Sequence, residues 1–247
     1  MVNLNSSHGS PGRIGNQFFH NMASHIIAKQ IDLKFTYQDY ERIKQLGIDL
    51  FTEGKNTFLQ HDTVHLNDSD FMEFVKNPLP KNVVLNGYKQ TREFSLFLRE
   101  YFQENRLFEQ IIQKNKYNSR YNQNNDVFVH VRLGDMTYAI GVFVQDFNYY
   151  DRALSKVGLF GTGYISSDSI EHPICQELIA KYGLIPYNSD EIDTILFAST
   201  CSKVILSTGT FSWLIGFLAQ FSAVYCPKII HLWHGDIFVF DDWNKID

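Results

Sequence analysis

The segment VFVHVRLGD, residues 127–135, sets a histidine, an arginine and an aspartate into a short apolar run. A run of this length, rich in β-branched residues, reads as a strand, and strand side chains alternate between faces. Phe128, His130 and Arg132 therefore share one face, with Arg132 at the carboxyl end. Open α/β sheets bind ligands at that end, and a permanently charged guanidinium there suits a diphosphate. The alternative is an Arg132–Asp135 pair that closes the strand end without a ligand.

A second segment, KVILSTGTFSWLIGF (203–217), runs from a strand through small hydroxyl residues and a glycine into an apolar helix. Thr210 or Ser212 can cap that helix, and the N–H groups at its start form an anion pocket. An ordinary cap with no ligand satisfies the same pattern. A third segment, GRIGNQFFHNMA (12–23), leads two glycines and an Asn-Gln pair into a helix carrying His20. Its glycines suit close approach to a ligand, or a plain loop-to-helix turn. It is not G-x-G-x-x-G, which argues against a dinucleotide oxidoreductase. Asp68-Ser69-Asp70 has the look of an Asp-x-Asp metal site, but it precedes the apolar run FMEFV, and helix capping is the reading adopted. Asp193 opens a helix, where a carboxylate complements the dipole.

The elements that must position these residues alternate. Residues 16–30 show helical apolar spacing; 33–37 and 83–88 read as strands, and 91–120 hold two helices. The polar, Asn-rich stretch 115–125 marks a boundary between a domain of residues 1–122 and one of residues 123–247. Beyond it, strands at 126–132, 163–168, 184–188, 203–207 and 223–227 alternate with helices at 148–158, 172–183, 190–201 and 213–221. That pattern predicts an α/β fold with a mainly parallel sheet.

Composition narrows the function classes. The chain has 247 residues, which allows one large domain or two small ones, and with 44% of them hydrophobic it can bury a real core. A net charge of −5 leaves no basic stripe for a nucleic-acid backbone. Cys175, Cys201 and Cys226 lack metal-ligand spacing and read as reduced and buried, which together with the absence of an apolar leader points to the cytoplasm. The uncharged stretch from Val204 to Pro227 is broken by hydroxyl residues and reads as strand, turn and buried helix rather than a membrane span.

These segments resemble, in order, those of the GDP-fucose-dependent alpha-1,2-fucosyltransferases, within the wider alpha-1,2/alpha-1,6/O-fucosyltransferase group. GRIGNQFFHNMA is similar to the family's Gly-x-x-Gly-Asn-Gln segment, LNGYKQTREF (85–94) to its Gly-Tyr-x-Gln segment, and HVRLGD to its His-x-Arg-Arg-x-Asp motif. YYDRA (149–153), GYISSDS, Asp193, STGTFSWLIGF and DDWNKI (241–246) follow in the family's order. Leu133 replaces the second arginine of the motif, Leu214 stands where a tryptophan is common, and the chain is short for the family.

The resemblance implies a GT-B-like fold, with two Rossmann-like α/β domains facing across a cleft. The C-terminal one would hold the donor nucleotide and the N-terminal one the acceptor. It implies inversion at the anomeric carbon, with GDP-fucose as donor, a glycan as acceptor, and neither a metal nor another cofactor. Arg132 would bind the β-phosphate and stabilise the departing diphosphate, while Asp135 would orient Arg132 or act as base. His130 and Asp193 would hold the nucleoside, and Thr210, Phe211 and Ser212 would line the phosphates. Gly15, Asn16, Gln17, Ser167 and Asp168 would fall on the donor side; Tyr88, Gln90 and His20 would fall on the acceptor side. The replacement at Leu133 keeps open another GDP-sugar or a UDP-sugar as donor, and a catalytically silent glycan- or nucleotide-binding protein is the rival from another class.

Overall fold

The computed structural model describes residues 13–58, 62–134, 144–228 and 236–247, and the backbone of residues 6–8. The described residues fall into two compact units. One comprises residues up to Ile111 with Asp236 and Ile237; the other comprises Ile112 to Lys228 with Phe238–Asp247.

The first unit is built on a parallel three-stranded sheet of β1 (Ser6–His8), β2 (Thr63–Leu66) and β3 (Asn82–Asn86), with β3 central. Four helices belong to this part of the chain, α1 (Ile14–Ile31), α2 (Tyr40–Gln45), α3 (Asp68–Lys76) and α4 (Arg92–Glu104), and the partition falls within a fifth, α5 (Leu107–Lys114). Residues 33–37, expected as a strand, form no ladder. Leu33 and Phe35 are buried, but the segment makes only isolated bridges, Leu33 to Lys55 and one at Thr36, and no continuous ladder among the described residues.

Helix α1 starts at Ile14 and is buried on almost every side, not on one stripe, so its polar side chains need internal partners. Its apolar contacts include Phe18 on Phe102 and Phe19 on Phe94. Asn21 donates to the Gln38 carbonyl at 2.7 Å. His25 accepts the Phe51 N–H at Nδ1 (2.9 Å) and lies 3.0 Å from the Tyr101 hydroxyl through Nε2.

Burial, with the Lys29 charge adding to it, lowers the His25 pKa to about 4. His20, on the same helix, is also lowered to about 4, by burial and then by Lys89, with Asp68 opposing. Both imidazoles are neutral in the fold and protonate near pH 6.5 once unfolded. The unfolded chain thus binds more protons between pH 6.5 and 4, so their contribution is complete above pH 6.5 and is lost as pH falls towards 4. Each is expected to cost on the order of 1–2 kcal/mol of stability between pH 7 and pH 5. Thermal melting at those two pH values checks this, and His25→Phe should flatten the dependence while lowering stability at pH 7, since it leaves the Phe51 N–H unpaired. Equal melting temperatures for the unaltered protein at pH 7 and pH 5 would contradict it.

The second unit carries a parallel six-stranded sheet. Its strands are β4 (Val127–Val131), β5 (Gly163–Ser167), β6 (Ile185–Pro186), β7 (Lys203–Ile205), β8 (Ala223–Pro227) and β9 (Asn244–Ile246), in the order β6-β5-β4-β7-β8-β9. Counted from β4, this is 3-2-1-4-5-6, the doubly wound nucleotide-binding order. Helices α6 (Phe147–Val157), α7 (Pro173–Tyr182), α8 (Glu191–Ala198) and α9 (Thr210–Leu218) connect the strands. Val127, Val129, Val131 and Leu133 point into one apolar core with Tyr149, Tyr150, Leu154 and Ile165.

The stretch 115–125 is a packed part of this unit, and the partition falls ahead of it, between Ile111 and Ile112. Asn115 Nδ2 donates to the Leu196 carbonyl and Asn124 Nδ2 to the Thr200 carbonyl, each at 2.9 Å. Arg120 pairs with Asp126 at 2.8 Å. Polar composition marks a boundary only when the polar groups face water, and here the asparagines satisfy the backbone of α8 and the turn after it.

The three cysteines are buried and free. Among the described residues no helix is long and apolar enough to cross a membrane; Val204–Pro227 comprises β7, α9 and β8.

Candidate functional site

In a doubly wound sheet the chain leaves adjacent strands in opposite directions at one point, and a crevice opens there at the carboxyl ends. In the second unit that point lies between β4 and β7, which pair from Val127–Lys203 to Val129–Ile205. Beyond β4 comes Arg132; beyond β7 come Leu206 to Gly209, and then α9.

Arg132 is half-buried, and its guanidinium packs against Gly209. Gly209 has φ +93°, a conformation that favours glycine, and a Cβ there would displace Nη1 of Arg132. Gly209 is the N-cap of α9 and supplies no side-chain cap. The first backbone bond of that helix runs from the Trp213 N–H to the Gly209 carbonyl at 3.0 Å, so the N–H groups of Thr210, Phe211 and Ser212 precede the ladder. A guanidinium beside the positive end of a helix adds its charge to that of the helix start, and both attract an anion.

The surrounding residues hold this corner in shape. Asp168, beyond β5, accepts the Leu133 N–H at 2.9 Å and the Gly134 N–H at 3.1 Å, fixing the backbone next to Arg132. Ser167 accepts the Ser169 N–H at 3.0 Å and shapes the same turn. Tyr149, fully buried on α6, donates to the Leu206 carbonyl at 2.6 Å and anchors the end of β7. On β4, the His130 ring lies 4.9 Å from Phe211, and its Nδ1 contacts the Ser212 hydroxyl. Ser212 is fully buried, so its hydroxyl points inward and its backbone N–H alone belongs to the helix start. Leu133 is buried as well: strand alternation persists past β4, and residue 133 faces the core on the side opposite Arg132.

Asp193 is at the third position of α8, and it does not simply complement the helix dipole. Its N–H is capped by Asp190 at 2.7 Å. Its carboxylate accepts from Tyr117 (2.8 Å), Tyr187 (2.7 Å), Ser189 and Lys116. Burial alone would raise its pKa, but hydrogen bonds from Lys116, Ser189, Tyr187 and Tyr117 outweigh that and hold it well below the usual carboxylate range. Tyr187 stacks on Phe197 with centroids 4.3 Å apart, and Phe128 and Tyr164 meet the same ring pair edge-on.

In the first unit, two sequence segments that looked separate meet at the carboxyl end of the sheet. Gln90 Nε2 donates to Asn16 Oδ1 at 2.9 Å, and the His20 and Tyr88 rings lie 5.9 Å apart. Gly15 is buried within the first turn of α1, and Gln17 donates to Asp39 at 2.6 Å. Neither ring nitrogen of buried His20 has a hydrogen-bond partner among the described residues. Asp68 accepts from the N–H groups of Tyr88 (3.2 Å) and Lys89 (2.8 Å), while Asp70 closes a capping box with Asn67. Among the described residues no group of three or more His, Cys, Asp or Glu side chains could hold a metal ion.

Lys89 escaped the sequence reading. It is buried, lies in the left-handed region at φ 58°, and donates to the Leu66 and Asn86 carbonyls and to Asp68. It thereby ties the ends of β2 and β3 together. No pattern marks a lysine as buried; its partner lies 21 positions earlier in the sequence. Lys116, Tyr117 and Ser189 were missed for the same reason, because only the folded chain shows that they converge on Asp193. Gly12 and Asp135 lie outside the described residues.

The second unit is thus a Rossmann-type α/β body with Arg132 packed against the start of α9 at its switch point. The family model described as glycosyl transferase family 11 matches residues 18–238, and the chain belongs to that family, the alpha-1,2-fucosyltransferase family. The protein is a glycosyltransferase of the fucosyltransferase type. No curated protein matches the chain.

Proposed function

We propose that the protein transfers L-fucose from GDP-fucose to a sugar hydroxyl of a glycan, alpha-1,2 in type, with inversion at the anomeric carbon. In this reading it is a cytoplasmic GT-B enzyme that needs no metal, with the donor on the second unit and the acceptor on the first. The observation that carries it is Arg132 packed on Gly209 at the uncapped start of α9. The β-phosphate oxygens meet the guanidinium and the N–H groups of Thr210, Phe211 and Ser212. As the bond from the anomeric carbon to the diphosphate oxygen breaks, the electron pair stays on the diphosphate, and these donors stabilise the growing charge. Asp135 orients Arg132. His130 and Asp193 hold the nucleoside, and Asp168 with Ser167 keeps the corner in register. Gly15, Asn16 and Gln17 are assigned to the donor, and Tyr88, Gln90 and His20 to the acceptor. For Asp193 to take a nucleobase N–H, one of its present donors must yield, and Lys116, its exposed charged partner, has the least to lose.

The altered-donor reading drew on Leu133. That side chain is in the core, so its identity does not change the charge facing the corner. Calorimetry with GDP, UDP and NAD in the presence of EDTA tests the proposal. GDP is expected to bind undiminished under chelation and the other two much more weakly, with turnover then measured on GDP-fucose. Loss of GDP binding in EDTA would refute the metal-free reading, and preferential UDP binding would establish the other donor class.

A further inference from the structure

Ser212 is on the first turn of α9 with no exposed surface, so its hydroxyl must find its partners inside the protein. The Ser207 N–H donates to Oγ at 2.9 Å, and His130 Nδ1 contacts the same oxygen. A serine oxygen that already accepts one hydrogen bond retains one proton and one lone pair. If Nδ1–H donated to that lone pair, the serine proton would need a third partner, and no further acceptor contacts Oγ among the described residues. The opposite polarity satisfies both the serine hydroxyl and the Ser207 amide: Ser207 N–H donates to Oγ, and Oγ–H donates to Nδ1.

We infer that Ser212 is a positioning residue that fixes His130 as the neutral Nε2–H tautomer. The ring is clamped on two sides, by this bond and by Phe211 at 4.9 Å, on the face of β4 that alternation gives to Arg132. Held in this way, His130 acts through Nε2 as a hydrogen-bond donor. Whatever ligand atom it meets must be an acceptor, such as a carbonyl oxygen, and a ligand amino group in the same place would set donor against donor. The connection also runs through the turn: the serine that fixes the imidazole is fastened to Ser207, two residues before the Gly209 that seats Arg132. The ligand part of this inference rests on the donor-site reading above; the tautomer does not.

Long-range proton–nitrogen NMR on the unaltered protein with labelled histidine, at pH 7.5 with and without GDP, reads the tautomer directly, with His130→Gln assigning the signal. The expected result is the Nε2–H pattern in both states. Ser212→Ala should release His130 into a tautomer mixture and weaken GDP binding roughly tenfold, as loss of one oriented hydrogen bond would. Ser212→Thr, which keeps the hydroxyl, should restore both. A wild-type Nδ1–H signal overturns the inference, and so does a Ser212→Ala protein whose His130 signal is unchanged. If Ser212→Ala does not fold, the wild-type spectrum still decides. A wild-type protein that shows Nε2–H but binds no GDP upholds the role of Ser212 and removes the donor-site reading instead.

Discussion

Replacing Arg132 by alanine is expected to lower turnover by ~10²–10³ while the protein stays folded, the range measured for removing one preorganised donor from a developing negative charge. The two effects separate because of where the side chain sits. Arg132 is half-buried at a strand end and lies over Gly209, not in the apolar core, so its removal opens no large cavity. Kinetics on GDP-fucose beside thermal melting measures both quantities. A variant that melts far lower while its folded fraction keeps full activity would show that Arg132 is a structural strand-end residue. Arg132→Lys should recover little, since an ammonium cannot present the planar fork that two phosphate oxygens accept.

Leu133→Arg should have the opposite signature, with loss of fold and no gain in binding. Restoring the family's second arginine looks, on sequence, like a way to add positive charge near the diphosphate. The structure directs residue 133 into the cluster of Val129, Val131, Tyr149, Tyr150 and Leu154. An arginine there would be buried without a partner and would overfill a packed site, at a cost of several kcal/mol. That is a large part of the margin of an ordinary domain. Expression and melting should show a drop in Tm on the order of 10 °C or more, or no soluble protein. A well-folded Leu133→Arg that binds GDP more tightly would mean that the backbone turns over after Val131 and would remove this assignment.

The second unit was largely legible in the sequence because its signals are local. Buried parallel strands such as VFVHV and AVYCP are short apolar runs, and the alternation with helices fixes the sheet class. The first unit was harder. Its strand β2, TVHL, is short with only Leu66 fully buried, and LKFTY is apolar enough to pass for a strand although it forms only isolated bridges, at Leu33 and Thr36. At the site, Arg132, His130 and the start of α9 follow from strand alternation and helix-end chemistry. What the sequence could not supply is which groups satisfy one another: that Asp168 holds the Leu133 N–H, that Ser212 turns inward to His130, and that Lys89 is buried at all. Those are long-range pairings, and a single sequence carries no trace of them.

The strap formed by residues 115–124 bears on how this protein is made. It leaves the ribosome before any strand of the sheet it belongs to, yet its partners in and just after α8 lie 76 to 84 positions downstream. Until Leu196, Ser199 and Thr200 have been synthesised, the amides of Asn115 and Asn124 have only water and their local partners, the Tyr121 hydroxyl and the Arg120 carbonyl, to bind. Contacts of that separation carry a high loop-closure cost and slow the closing step. The Asn-rich segment therefore docks late, and the second unit is held together by the part of it that is translated first. A truncated chain that starts at residue 123 would lack Asn115, Tyr117 and Arg120, and would leave α8 without the groups that now cover its backbone and its buried carboxylate.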